Sequence, residues 1–189
     1  MVAAIDSKSI AVRRAGSIPA VGTTDRAGSR ELKKQCFMNN ERFLKYYAST
    51  PTFRISNPNP RAASKRGFVW DCGDCAIRAL ANAISCNWLD SFDYLNARAR
   101  RDYNVCNDAV AFRGWVVESG AVWNHCKAVK GQKRMTVKEF AETHKTGRYV
   151  IDVANHFTAC VDGVILDVWN PGEKCVVGYY EMANFDLNK

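Results

Sequence analysis

The feature that most constrains this fold is a change of hydrophobic period at Gly147. Before it, apolar residues recur at helical spacing: Ile77, Leu80, Ala81 and Ile84 follow Cys75 as one buried stripe. A second helix is expected from Trp88 to about Arg100, and a third from Asp108 to Ser119, capped by Asn107 and ended by Gly120. Thr136-Val137-Lys138-Glu139 fits a capping box that opens one more short helix. After Gly147 come short stretches rich in β-branched and aromatic residues: Tyr149 to Ala154, His156 to Val161, Val164 to Trp169 and Cys175 to Tyr180. Asp162-Gly163 is a strong two-residue turn signal between two of them. Helices first and strands second predict an α+β fold, with a helical side packed on an antiparallel sheet.

The chain has 189 residues, 47% of them hydrophobic, enough for one ordinary core. No run approaches the roughly 18 apolar residues that span a bilayer, and Met1 to Ala20 lacks the apolar centre of a secretory signal. A cytoplasmic protein without a membrane span is expected. The eight cysteines are scattered through expected helices and strands, which reads as reduced thiols and not as a disulfide framework.

Charge divides the chain. Residues 1–66 hold 13 Lys and Arg against 4 Asp and Glu, a balance of +9, whereas the remaining residues hold 14 against 15. Residues 1–34 are expected to be a flexible basic leader, too poor in large apolar groups to offset the entropy of ordering. Such a segment suits nucleic acid, an acidic membrane surface or a virion partner, or serves only as a solvated leader. Its Asp6 and Asp25 argue against an organelle transit peptide. Residues 35–67 read as a helix and linker. Asn39 or Asn40 caps the helix, Phe43, Leu44 and Tyr47 share a face, Pro51 closes it, and Asn57-Pro58-Asn59-Pro60 and Arg61 to Gly67 follow as extended chain. Residues 68–189 form the domain proper.

Two segments of that domain carry chemistry: Cys72-Gly73-Asp74-Cys75 at a helix start, and Asn155-His156 at the start of a hairpin that returns through Asp167. Together they supply a thiol, an imidazole and a carboxylate, the parts of a cysteine-nucleophile enzyme. With Asp162 and Gly163 as the loop, Val161 faces Val164, Thr158 faces Asp167 and His156 faces Trp169. Asp167 is then the diagonal neighbour of His156 on one hairpin face, and Asn170 points to the other unless a bulge near Trp169 reverses the choice. Of the two cysteines, Cys75 sits where unpaired N–H groups and the positive helix end favour a thiolate. Asp74 opposes this unless its carboxylate turns away to cap the helix.

Other readings of these residues meet obstacles. A thioredoxin-like dithiol site needs a cis-proline facing the cysteines, yet the only proline after Cys75 is Pro171. A zinc site needs two more ligands at metal spacing, and His125 and His144 are isolated. His144, in Thr143-His144-Lys145-Thr146, reads as a surface-loop residue.

Cys72-Gly73-Asp74-Cys75-Ala76-Ile77 resembles the Cys-Gly-Ser-Cys-Trp-Ala-Phe signature of papain-like cysteine proteases, and Asp167-Val168-Trp169 resembles their Asn-Ser-Trp element. More closely, Asp74 to Leu80, Gly147-Arg148-Tyr149, and Asn155-His156-Phe157 through Asp167-Val168-Trp169 resemble uncharacterised papain-like peptidases of bacteriophages and prophages. The resemblance covers about residues 68–181 and leaves the leader outside. It implies a papain-like catalytic domain with a sheet or half-barrel on the strand side, and a protein or peptide substrate. Its implied roles are Cys75 as nucleophile, His156 as base and Asp167 as orienting residue, with no cofactor and no metal. Where such enzymes commonly carry an oxyanion-binding Gln, six residues before the nucleophile, this chain has Val69. The expected activity is that of a thiol hydrolase, a cysteine protease or isopeptidase. The rival expectation is a non-enzymatic phage structural or nucleic-acid-binding protein that works through its basic N-terminal segment.

Overall fold

The computed structural model describes residues 45–60 and 73–189, all within one compact unit spanning residues 38–189. The leader at 1–34, the Asn39 or Asn40 cap, Phe43, Leu44, Arg61 to Gly67, Val69 and Cys72 lie outside the described residues.

In chain order the elements are β1 (Phe53–Ile55), α1 (Cys75–Ile84), α2 (Trp88–Arg101), α3 (Ala109–Glu118), β2 (Val122–His125), α4 (Val137–Thr143), β3 (Arg148–Val153), β4 (His156–Val161), β5 (Val164–Asp167) and β6 (Val176–Glu181). The six strands make one open sheet in the order β1-β5-β4-β3-β6-β2. Both helices and sheet are thus present, as the change of period predicts. The sheet is mixed, however, and not purely antiparallel: β1 runs parallel to β5, pairing Phe53 with Ile165 and Ile55 with Asp167.

β1 lies between the helix and the linker expected within 35–67, where no strand was foreseen. Phe53 is 1% exposed and belongs to the core, because a β5 edge left bare would present unpaired backbone groups to water. The helical turn at 45–47 ends before Pro51, and residues 57–59, expected as extended linker, carry no regular structure.

Local chemistry accounts for the helix limits. Asn87 caps α2 by accepting from Asp90 N–H at 2.9 Å, and Thr136 and Glu139 form the reciprocal capping box of α4. α1 carries no basic residue in its last turn. Arg148 from β3 serves that end instead, donating to Ser85 Oγ at 2.9 Å and reaching the Ala83 carbonyl at 3.4 Å. α3 is capped by Asp108, which accepts from Ala111 N–H at 2.7 Å, and not by the expected Asn107.

The sheet is covered on both faces. One face packs Val150, Phe157, Ala159 and Tyr180 against Ile77, Leu80, Leu95, Phe112, Trp115 and Val116 of α1, α2 and α3. The other packs Ile151, Val153, Cys160, Ile165 and Val176 against Val137 and Phe140 of α4. Neighbours such as Val150 and Ile151 serve opposite layers because strand side chains alternate. Each fully buried Leu or Phe here contributes about 1.5–3 kcal/mol relative to exposure. At the β4–β5 turn Asp162 and Gly163 both adopt positive φ, 48° and 76°, the conformation whose twist suits a two-residue hairpin. Its register pairs Val161 with Val164, Cys160 with Ile165 and Ala159 with Leu166, in agreement with the sequence prediction.

Candidate active site

Cys75 is the first residue of α1 and His156 the first of β4, while Asp167 ends β5. α1 lies against β3, β4 and β5, so its N-terminus meets the end of the sheet where His156 stands. The His156 side chain and the Phe157 backbone lie close enough to the Cys75 thiol to lower its pKa. On its other side His156 Nε2 lies 2.7 Å from Asp167 Oδ2. The three sequence-selected groups are brought together, with the imidazole in the middle.

Asp167 is itself held from two directions. Its Oδ1 accepts from Val168 N–H at 2.7 Å, and its carbonyl accepts from Ser56 N–H at 2.8 Å in the chain that leaves β1. The Trp169 ring lies 5.1 Å from the His156 ring, and the side chains of His156 and Asp167 are only 9% and 3% exposed. Asn170 is elsewhere: its N–H donates to the Tyr46 carbonyl at 2.7 Å and its Oδ1 accepts from Gly172 N–H at 2.9 Å.

The electrostatics follow from this packing. Burial disfavours the charged form of His156, but hydrogen bonds and charge from Asp167 and Cys75 outweigh it and raise its pKa from 6.5 to about 9. Burial likewise pushes the Cys75 thiol up. Hydrogen bonds from His156 and the Phe157 backbone, with the charges of His156 and Arg78, reverse that and bring it below its ordinary value. A thiolate–imidazolium pair is therefore favoured between the depressed Cys75 value and about pH 9. The contrast with the other thiols is direct: burial pushes Cys86, Cys126 and Cys160 up, Cys160 to about 12.

Asp74 departs from its expected role. It is the N-cap residue of α1 but makes no side-chain capping bond. Its carboxylate, 6% exposed, instead accepts from Arg78 Nη1 at 2.8 Å, Asn59 Nδ2 at 2.7 Å and Trp88 Nε1 at 2.8 Å. A buried carboxylate needs a countercharge more than the helix end needs a cap, and Arg78, one turn along α1, supplies it. The negative charge beside Cys75 is thereby compensated. The cap comes from Asn107, which accepts from Ala76 N–H at 3.1 Å.

Sequence reasoning missed Trp88, Asn107 and Arg78 as neighbours of the site. Only Arg78 was signalled, since an acid and a base four residues apart on a helix form an ion pair. His144 is not a simple surface residue: its ring stacks on Phe140 with centroids 3.8 Å apart and meets Tyr149 and Tyr179 edge-on. Among the described residues, no cluster of three His, Cys, Asp or Glu side chains is arranged to hold a metal ion, and no helix is long and apolar enough to cross a membrane. A cleft of about 350 Å³ lined by Tyr46, Pro51, Lys138, Glu142 and Asn170 includes none of the three site residues in its wall. The chain matches no family model, no curated protein and no solved structure.

Proposed function

We propose that this chain is a thiol hydrolase of papain-like type that cleaves peptide or isopeptide bonds. One observation carries the proposal: a single imidazole, 2.7 Å from a buried carboxylate, also acts on a cysteine at a helix N-terminus and lowers its pKa. Each group then has one task. The Cys75 thiolate attacks the carbonyl carbon, and the His156 imidazolium protonates the leaving amine as the C–N bond breaks. Water next attacks the thioester, His156 takes its proton, and Cys75 leaves as the thiolate while the acid product departs. Asp167 orients the ring and stabilises its charged form throughout. The Cys75 N–H at the start of α1 is the natural first donor to the oxyanion.

The substrate class, a protein or peptide, follows from the reaction and from the resemblance to phage-borne papain-like peptidases. The balance of +9 in residues 1–66 supports a separate role in binding nucleic acid or a virion partner. That role predicts salt-dependent affinity, lost when residues 1–34 are removed.

Labelling with an electrophilic thiol probe near neutral pH tests the catalytic reading. Cys75 should react far ahead of the other cysteines, and His156→Ala should slow it by two orders of magnitude or so, the scale of general-base assistance. Uniform labelling of several cysteines, indifferent to His156, would sink the proposal.

A further inference from the structure

Asn107 stands in the loop before α3, yet its amide is bound to the segment that carries Cys75. Nδ2 donates to the Gly73 carbonyl at 2.6 Å while Oδ1 accepts from Ala76 N–H at 3.1 Å. One planar group therefore spans the turn from Gly73 to Ala76 and supplies the cap that Asp74 leaves undone. The turn needs holding, because Gly73 has φ +72° and glycine brings no side chain to restrain it.

The two bonds also fix which way the amide points. Ala76 N–H requires an acceptor and the Gly73 carbonyl a donor, so a flipped amide would lose both bonds. The oxygen is then the atom that faces Cys75, 3.9 Å from Sγ. An acceptor there offers nothing to an oxyanion, which separates Asn107 from the donor that a Gln commonly supplies in papain-like enzymes.

We propose that Asn107 is a positioning residue, which clamps the first turn of α1 so that the Cys75 sulfur stays against His156; this rests on the reading of those two as nucleophile and base. Alanine at 107 removes both bonds and frees the turn. Aspartate keeps the shape and the acceptor for Ala76 N–H, but sets an anionic oxygen against the Gly73 carbonyl and a negative charge beside the sulfur. Asn107 is partly exposed and lies outside both core clusters, so both variants should fold.

The test measures the rate of Cys75 carbamidomethylation by iodoacetamide from pH 5 to 10 in the full chain, resolved by site with mass spectrometry. Wild type is compared with Asn107→Ala, Asn107→Asp and His156→Ala, with thermal unfolding followed in parallel. Asn107→Ala should move the Cys75 inflection up and so lower the labelling rate near pH 7 about tenfold. Asn107→Asp should move the Cys75 inflection up by about one pH unit, which is tenfold in rate below it. If both Asn107 variants follow the wild-type profile while His156→Ala remains slow, the clamp is wrong and the catalytic reading stands. Variants that melt earlier with an unmoved inflection also overturn the clamp, since a structural role alone would do that. If His156→Ala reacts like wild type, the catalytic reading falls and takes the clamp with it.

Discussion

Replacing Asp167 with Asn asks whether the charge of that carboxylate, beyond its shape, holds His156 in its activating form. Asn keeps the volume and an oxygen for the Val168 N–H bonded to Asp167 at 2.7 Å. What disappears is a negative charge 2.7 Å from His156 Nε2, between side chains 9% and 3% exposed. The rise of the His156 pKa from 6.5 to about 9 spans ~2.5 pH units, on the order of 3 kcal/mol in favour of the protonated ring. It is the net of burial, which lowers the pKa, and of Asp167 and Cys75, which raise it, Asp167 more than Cys75 in both hydrogen bonding and charge. About 2 kcal/mol is therefore at stake at pH 7.

The sign follows from the direction of the shift. A folded pKa above the unfolded one means that protonated His156 stabilises the fold fully below about pH 6.5, and that this contribution is lost as pH rises through about 9. Asp167→Asn should thus be less stable than wild type at pH 7, with the gap closing above pH 9. Urea unfolding followed by tryptophan fluorescence at several pH values reads this directly. Iodoacetamide labelling of Cys75 at pH 7 should slow by roughly 30-fold, the same 2 kcal/mol expressed as a rate. Unfolding midpoints that track wild type from pH 6 to 10, with an unchanged labelling rate, would refute the argument.

Arg78→Ala leaves the Asp74 carboxylate, 6% exposed, without its ion-pair partner; a loss of roughly 3–5 kcal/mol is expected, measurable by urea unfolding, with slower labelling of Cys75 because the negative charge beside it goes uncompensated. Cys160, fully buried and pushed up to about 12, should resist iodoacetamide at pH 8 in the folded protein and react in urea; equal reactivity in both states would contradict its placement between sheet and α4. Gly178→Ala would drive a Cβ into the Trp123 ring and to within 2.8 Å of the Asn124 carbonyl, so a destabilisation of about 1–3 kcal/mol and a changed tryptophan emission are expected. A wild-type melting curve for that variant would show that Trp123 does not lie across β6.

What the sequence made legible was whatever depends on near neighbours along the chain. The stripe behind Cys75, the Thr136 capping box and the Asp162-Gly163 turn are local signals, and the turn sets a register that carries Asp167 to His156. β1 escaped because a three-residue strand is too short to show alternation and its parallel partner lies far along the chain. β2 escaped because an edge strand containing Asn124 and His125 lacks the usual β-branched bias. The cap of α3 failed by one residue: Asn107 and Asp108 are equally good caps, and only the contact of Asn107 with Gly73 and Ala76 decides between them. Asp74 failed for the same kind of reason, since its three donors come from Asn59, Arg78 and Trp88 and two of these are brought in by tertiary packing.

The parallel pairing of β1 with β5 sets a timetable. Phe53 to Ile55 waits for Ile165 to Asp167, a partner far along the chain and so a long loop to close. Cys75 likewise leaves the ribosome well before His156 and Asp167 exist. Until β4 and β5 join the sheet the thiol lacks the imidazole that lowers its pKa and behaves as an ordinary cysteine. The growing chain is therefore chemically quiet, and reactivity arrives together with the finished sheet.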